Sequence, residues 1–210
     1  MRNRTRIRNK SSKRKSRSIK RMNKSPKTKS PKNKISLKPK TLHFKDFPQF
    51  QPNLTPKQVL QLGSFGGTYF RDIYSSVTNK HYKGKEVIKE FPKNWFSGLD
   101  IDTMITSQNY DKKVNKYGVK CGSTLEAWEN SGWIVEQDPY GWFQWYCRFY
   151  MGRRTDDDER QVKRWLNFAG PKGRFKNTLL NMIKKKGTTK NDYSVSPVIR
   201  QGLQHWAYVI

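Results

Sequence analysis

The sequence predicts a mainly α protein: a small, irregular helical domain with an aromatic-rich core, preceded by a long disordered basic arm. Three observations predict it. Apolar residues recur at helical spacing through much of residues 142–206. Seven of the eleven residues from Tyr140 to Tyr150 are aromatic. Residues 1–40 hold 18 of the 44 Lys/Arg, none of the 16 Asp/Glu and no aromatic side chain. Such a stretch repels itself and has too little apolar surface to fold alone. The predicted organisation is an arm at 1–40, an extended lead-in at 41–54 and one globular domain at 55–210. The last of these carries a three-helix part at about 155–210.

In the arm, Arg2, Arg4, Arg6 and Arg8 alternate with other residues, and a near-repeat follows, Ser25-Pro26-Lys27-Thr28-Lys29 and Ser30-Pro31-Lys32-Asn33-Lys34. The repeat resembles the Ser-Pro-Lys units in the tails of linker histones and sperm chromatin proteins. That resemblance implies a compact turn lying along a DNA minor groove. Arg14, Lys27 and Lys32 are the arm's named phosphate contacts. Phosphorylation at Ser25 or Ser30 would weaken them. Lys13-Arg14-Lys15 and Lys20-Arg21 also suit a nuclear address, but 18 cations exceed what an address needs.

Phe44, Phe47 and Phe50 of the lead-in are expected to dock on the domain. Thr55 caps a short helix with Pro56 at its first position, burying Val59, Leu60 and Leu62. The glycines at 63, 66 and 67 match no nucleotide-binding fingerprint and read as a helix stop and turn. Residues 69–89 are mixed, with a helix or strand near 70–77. Residues 91–96 read as a turn with aromatic anchors. Thr124 or Ser123 caps a short helix over 124–130.

Asp138-Pro139-Tyr140-Gly141 is a turn, and 142–151 reads as a helix. Trp142, Trp145, Tyr146 and Phe149 share one face, while Gln144, Arg148 and Arg153 fall away from it. The aromatic stripe fits a core, and also a stacking platform if Tyr140, Phe143 or Tyr150 stays at the surface beside Arg148, Arg153 and Arg154. Thr155 caps the next helix, whose first turn is the acidic run 156–159; Thr155 with Asp158 approximates a capping box. Read otherwise, those acids are a metal-binding nuclease cluster, although neighbours on one helical turn point in different directions. Val162, Trp165, Leu166 and Ala169 line that helix. After a tight Gly turn, a second helix over 174–186 buries Phe175, Leu179, Leu180 and Ile183. Its other side carries Arg174, Lys176, Lys184, Lys185 and Lys186, with Lys172 in the turn before it. Ser196 caps a third helix that buries Ile199, Leu203 and Trp206. Helix, Gly turn and basic helix outline a helix-turn-helix, with Arg174, Asn177 and Asn181 able to reach base edges.

Leu62-Gly63-Ser64-Phe65-Gly66-Gly67-Thr68-Tyr69, Asp138-Pro139-Tyr140-Gly141-Trp142, Gly152-Arg153-Arg154-Thr155 and Leu203-Gln204-His205-Trp206 carry a resemblance. Residues 63–209 resemble an uncharacterised Trp-rich protein family of algae, fungi and large DNA viruses. The resemblance brings no activity with it.

The net charge is +28, and residues 41–210 still hold 26 Lys/Arg against 16 Asp/Glu. The expected partner is therefore nucleic acid, DNA in preference to RNA. No apolar run is long enough to span a bilayer and the N-terminus lacks a secretory core, so neither a membrane partner nor export is expected. A nucleus, or a virion or viral factory for a viral source, is the expected location. Cys121 and Cys147 make no disulfide framework, and with three histidines they offer too few zinc ligands, so no metal or cofactor is expected. The predicted function is non-enzymatic DNA binding, with a nucleic-acid-processing enzyme using Asp157, Asp158 or His205 as one alternative. A virion structural protein whose arm neutralises nucleic acid is the other. Oligomeric state is left open.

Overall fold

The structure is a computed structural model that describes residues 39–210. Residues 1–38 of the arm, with Arg14, Lys27 and Lys32, lie outside the described residues. The described part is mainly helical, with one two-stranded hairpin. Among the described residues no helix is long and apolar enough to cross a membrane.

Helix α1 spans Pro56–Gln61, and Thr55 caps it through a capping box with Gln58. Gly63 follows at φ +87°, with the Val114 carbonyl so close that a Cβ would sit 2.1 Å from its oxygen. Only glycine permits that crossing. The mixed stretch resolves into a hairpin, β1 Ile73–Ser75 and β2 Lys80–Tyr82, antiparallel with Ile73 opposite Tyr82. Three short helices follow or precede the long loop at 105–124: α2 Gly84–Val87, α3 Ile101–Met104 and α4 Leu125–Asn130. The Thr124 hydroxyl accepts the Ala127 amide and caps α4. At 91–96, Phe91 stacks on Trp95 with centroids 5.7 Å apart.

Helix α5, Trp142–Tyr150, is the centre of the domain. Every residue from Trp142 to Cys147 is buried, and so is Phe149. The expected polar side is absent at Gln144, which is 1% exposed. Its amide oxygen accepts the Tyr140 N–H at 3.0 Å, so a polar side chain is satisfied inside the core. A helix covered on all sides needs neighbours on all sides. The lead-in supplies one: Phe50 sits 5.1–5.8 Å from the rings of Trp145, Tyr146, Phe149 and Trp165. Phe44 and Phe47 pack on Phe149.

Helices α6 Asp158–Ala169, α7 Arg174–Lys186 and α8 Pro197–His205 complete the chain. Three local expectations are corrected. Helix α6 begins at Asp158, with Asp157 already helical at the cap position. Thr155 and Asp158 still meet, but Asp158 is the acceptor: the Thr155 N–H and hydroxyl both donate to its carboxylate at 3.1 Å. Ser196 makes no side-chain cap and lies in the left-handed region at φ 45°. Leu180 is 39% exposed, because α7 packs inward along Phe175, Leu179 and Ile183. The C-terminal segment returns to the lead-in. The Asn53 side chain donates to Val209 O at 2.7 Å and accepts the Val209 N–H at 2.8 Å.

Candidate ligand cleft

The arginines predicted to face a phosphate backbone are engaged within the domain. The Asp138 carboxylate is completely buried, and Arg148 and Arg153 donate to its two oxygens at 3.0 and 2.5 Å. Arg148 also grips Glu90 with two nitrogens. Burial opposes the Arg148 charge, but the Glu90 and Asp138 carboxylates more than offset that and raise its pKa. Burial pushes the Asp138 carboxyl up, and the two guanidinium groups pull against it. Arg154 lies 3.9 Å over the Phe149 ring and donates to Asp46 and to the Phe149 carbonyl. Tyr140 and Phe143 are each 2% exposed, which corrects the expectation that they offer open rings. Tyr140 instead donates its hydroxyl to Arg71 O at 2.8 Å. Tyr150 alone of the three reaches the surface.

The acids named as catalytic alternatives are apart from any cavity they could share. Asp157 is held by Arg160 and Gln161. Asp158 is buried and accepts from the Trp145 indole at 2.8 Å, tying α6 to α5. Among the described residues no group of three or more His, Cys, Asp and Glu could hold a metal ion. His205 is buried and stacks on Phe65 at 4.1 Å. Its Nε2 accepts the Phe65 N–H at 2.9 Å, with the Gln201 amide nitrogen 3.0 Å away. An accepting Nε2 places the proton on Nδ1. Burial lowers its pKa to about 3, so the ring is neutral.

The cations around α7 are different. Lys172, Arg174, Lys184 and Lys185 are exposed and make no ion pair among the described residues. Lys176 is half-buried, 4.8 Å over the Tyr208 ring. Lys186 is engaged by Asp192 at 3.0 Å. The Asn177 amide donates to Pro171 O and Gly173 O, so it serves the turn rather than pointing outward. Asn181 is exposed.

Arg174 also borders a cleft of about 1010 Å³ that sequence reasoning missed. Phe65, Tyr69 and Arg71 stand on one side, with α4 and the Trp133 turn, α6 and α8 on the others. Its aromatic wall is a ladder. Phe175 stacks on Phe168 at 4.2 Å, Phe168 on Trp206 at 4.9 Å, and the Arg164 guanidinium lies 5.5 Å from Trp206 and 5.3 Å from Trp133. Four cations line the cleft, Arg71, Lys120, Arg164 and Arg174, and no Asp or Glu does. Arg164 donates to Gln161 Oε1 at 2.9 Å, and burial lowers its pKa to about 10. Arg71 donates to the Thr68 carbonyl at 3.1 Å, and burial lowers its pKa also. Neither guanidinium has a carboxylate partner among the described residues. Two partly desolvated cations with no directly paired carboxylate favour an incoming anion. No local signature gives this away, because residues 71, 133, 164 and 206 meet only in the fold. Comparison with protein-family models, with curated proteins and with solved structures finds no significant match to the chain.

Proposed function

We propose that this protein binds nucleic acid, DNA in preference to RNA, as a non-enzymatic binding or packaging protein. The observation that carries the reading is the run of unpaired cations along α7 that ends, at Arg174, on an acid-free aromatic cleft. Phosphates condense on such a strip without regard to sequence. The arm, with its 18 Lys/Arg, extends the same chemistry and makes affinity steeply salt-dependent. The arginines at 148, 153 and 154 take no part, since their charges are spent on Asp138, Glu90 and Asp46. A nucleus or a viral particle suits such a protein.

The test uses the full chain and a labelled duplex, with affinity measured by anisotropy across a salt series. Replacing Lys172, Lys184 and Lys185 together by Ala removes up to three phosphate contacts. The slope of log affinity against log salt is expected to flatten by about 2 to 3, at about 0.9 per contact. An unchanged slope and affinity would remove α7 from the interface.

A further inference from the structure

We propose that the cleft is a nucleotide site: it takes one unstacked base against the aromatic wall and the attached phosphate on a lining guanidinium group. The inference rests on the nucleic-acid reading above and names what that surface receives. Shape, charge and polar lining lead to it together.

Shape comes first. Phe175, Phe168 and Trp206 present parallel rings, with interplanar angles of 26° and 15° along the ladder. Past Trp206 the Arg164 guanidinium lies 5.5 Å from the Trp206 ring and 5.3 Å from the Trp133 ring. Beyond it the Trp133 indole is 45% exposed, at the mouth. Exposed indole is costly to leave in water, and a planar base recovers that cost by stacking. A cleft of about 1010 Å³ also holds more than an isolated base, leaving room for sugar and flanking phosphate.

Charge selects among flat ligands. A neutral aromatic or acyl ligand would leave Arg71 and Arg164 partly buried without an anion. A phosphate ester supplies that anion, in the bidentate geometry a guanidinium group prefers. Burial has already lowered both pKa values, so a phosphate restores what desolvation took away. The missing carboxylates matter as much, because an Asp or Glu in the lining would repel the same ligand.

Polar groups finish the site. Gln108 and Asn167 line the cleft with amides that make no hydrogen bond among the described residues. The His205 Nδ1–H, freed by the bond from Phe65 to Nε2, is a further donor on the wall. Amide and imidazole groups of this kind read base edges.

The shared chemistry, a base with its phosphate, comes either as a free nucleotide or as a residue of a strand. The experiment separates the two. The full chain is titrated with a labelled thymidylate strand of about ten nucleotides and with an abasic strand of equal charge. Wild type is expected to bind the thymidylate strand about tenfold more tightly than the abasic one. Trp133→Ala should erase that preference and Trp133→Phe should restore it, whereas Arg164→Gln should weaken the binding of both strands. Wild-type melting temperature and far-UV circular dichroism in each variant control for folding. Thymidine 5′-monophosphate is then added as competitor: displacement of the strand's base preference identifies a free-nucleotide site, and its persistence identifies a strand site. Equal wild-type affinity for the two strands would overturn the nucleotide site and leave nucleic-acid binding intact. Binding of neither strand would overturn both.

Discussion

Asp138→Asn tests whether the arginine hinge belongs to the fold or to a ligand. The carboxylate is fully buried, between Arg148 at 3.0 Å and Arg153 at 2.5 Å. Removing one member of a buried ion pair costs about 3–5 kcal/mol. Here the figure is reduced, because the Arg148 and Arg153 side chains are 21% and 27% exposed and Arg148 keeps Glu90. Arg153 loses most: its buried Nε has no partner already, and the substitution weakens its bond to Oδ2. The expected loss is about 3 kcal/mol in urea unfolding followed by tryptophan fluorescence. At about 2–4 °C per kcal/mol for a domain of this size, the melting temperature falls by about 6–12 °C. The same variant should bind DNA no more tightly than wild type under conditions where both are folded. A stability loss below about 1 kcal/mol, together with a gain in DNA affinity, would refute the reasoning. It would mean that the guanidinium groups are solvated and free to contact phosphate.

Two further outcomes follow. Phe50→Ala should cost about 3–5 kcal/mol by the same assay, because the ring touches five aromatic side chains and is wholly buried; a cost under about 1 kcal/mol would show the lead-in to be peripheral. His205 is neutral in the fold, with its pKa lowered to about 3 against an unfolded value of about 6.5. The unfolded state therefore binds the extra proton first. The stability that His205 retains above pH 6.5 is lost as pH falls towards 3, by about 5 kcal/mol at most. In His205→Gln, a fold that keeps the Phe65 bond should lose that part of the pH slope; an unchanged slope would assign it to other groups.

Local features were legible in the sequence because local rules govern them. Thr55 with Pro56 and Thr124 cap their helices, and the aromatic period of 142–150 makes a helix. The docking of Phe44, Phe47 and Phe50 was legible too, since large rings in an extended stretch need cover. What pattern could not show was partnership. Nothing near Arg148 says that Glu90, 58 residues away, will hold it. Nothing near Gln144 says that it will be buried and satisfied by Tyr140. The 69–89 stretch was ambiguous because three-residue strands are too short to establish a period of two. The cleft was hidden for the converse reason. Its defining property is a lining with four cations and no Asp or Glu, and only assembled walls reveal that.

The bonds between Asn53 and Val209 join positions 156 residues apart. Tyr146, on the central helix, donates to Leu54 beside that junction, and Trp142 packs on Trp206 at 4.5 Å. The middle of the chain is thus closed over by both its flanks. Such topology has high contact order, so chain closure precedes most of the reward and folding is slow for a helical protein. During synthesis the central aromatics have no complete cover until residues 206–209 have left the ribosome. Until then the nascent chain exposes its most adhesive segment, the stretch on which off-pathway association would start.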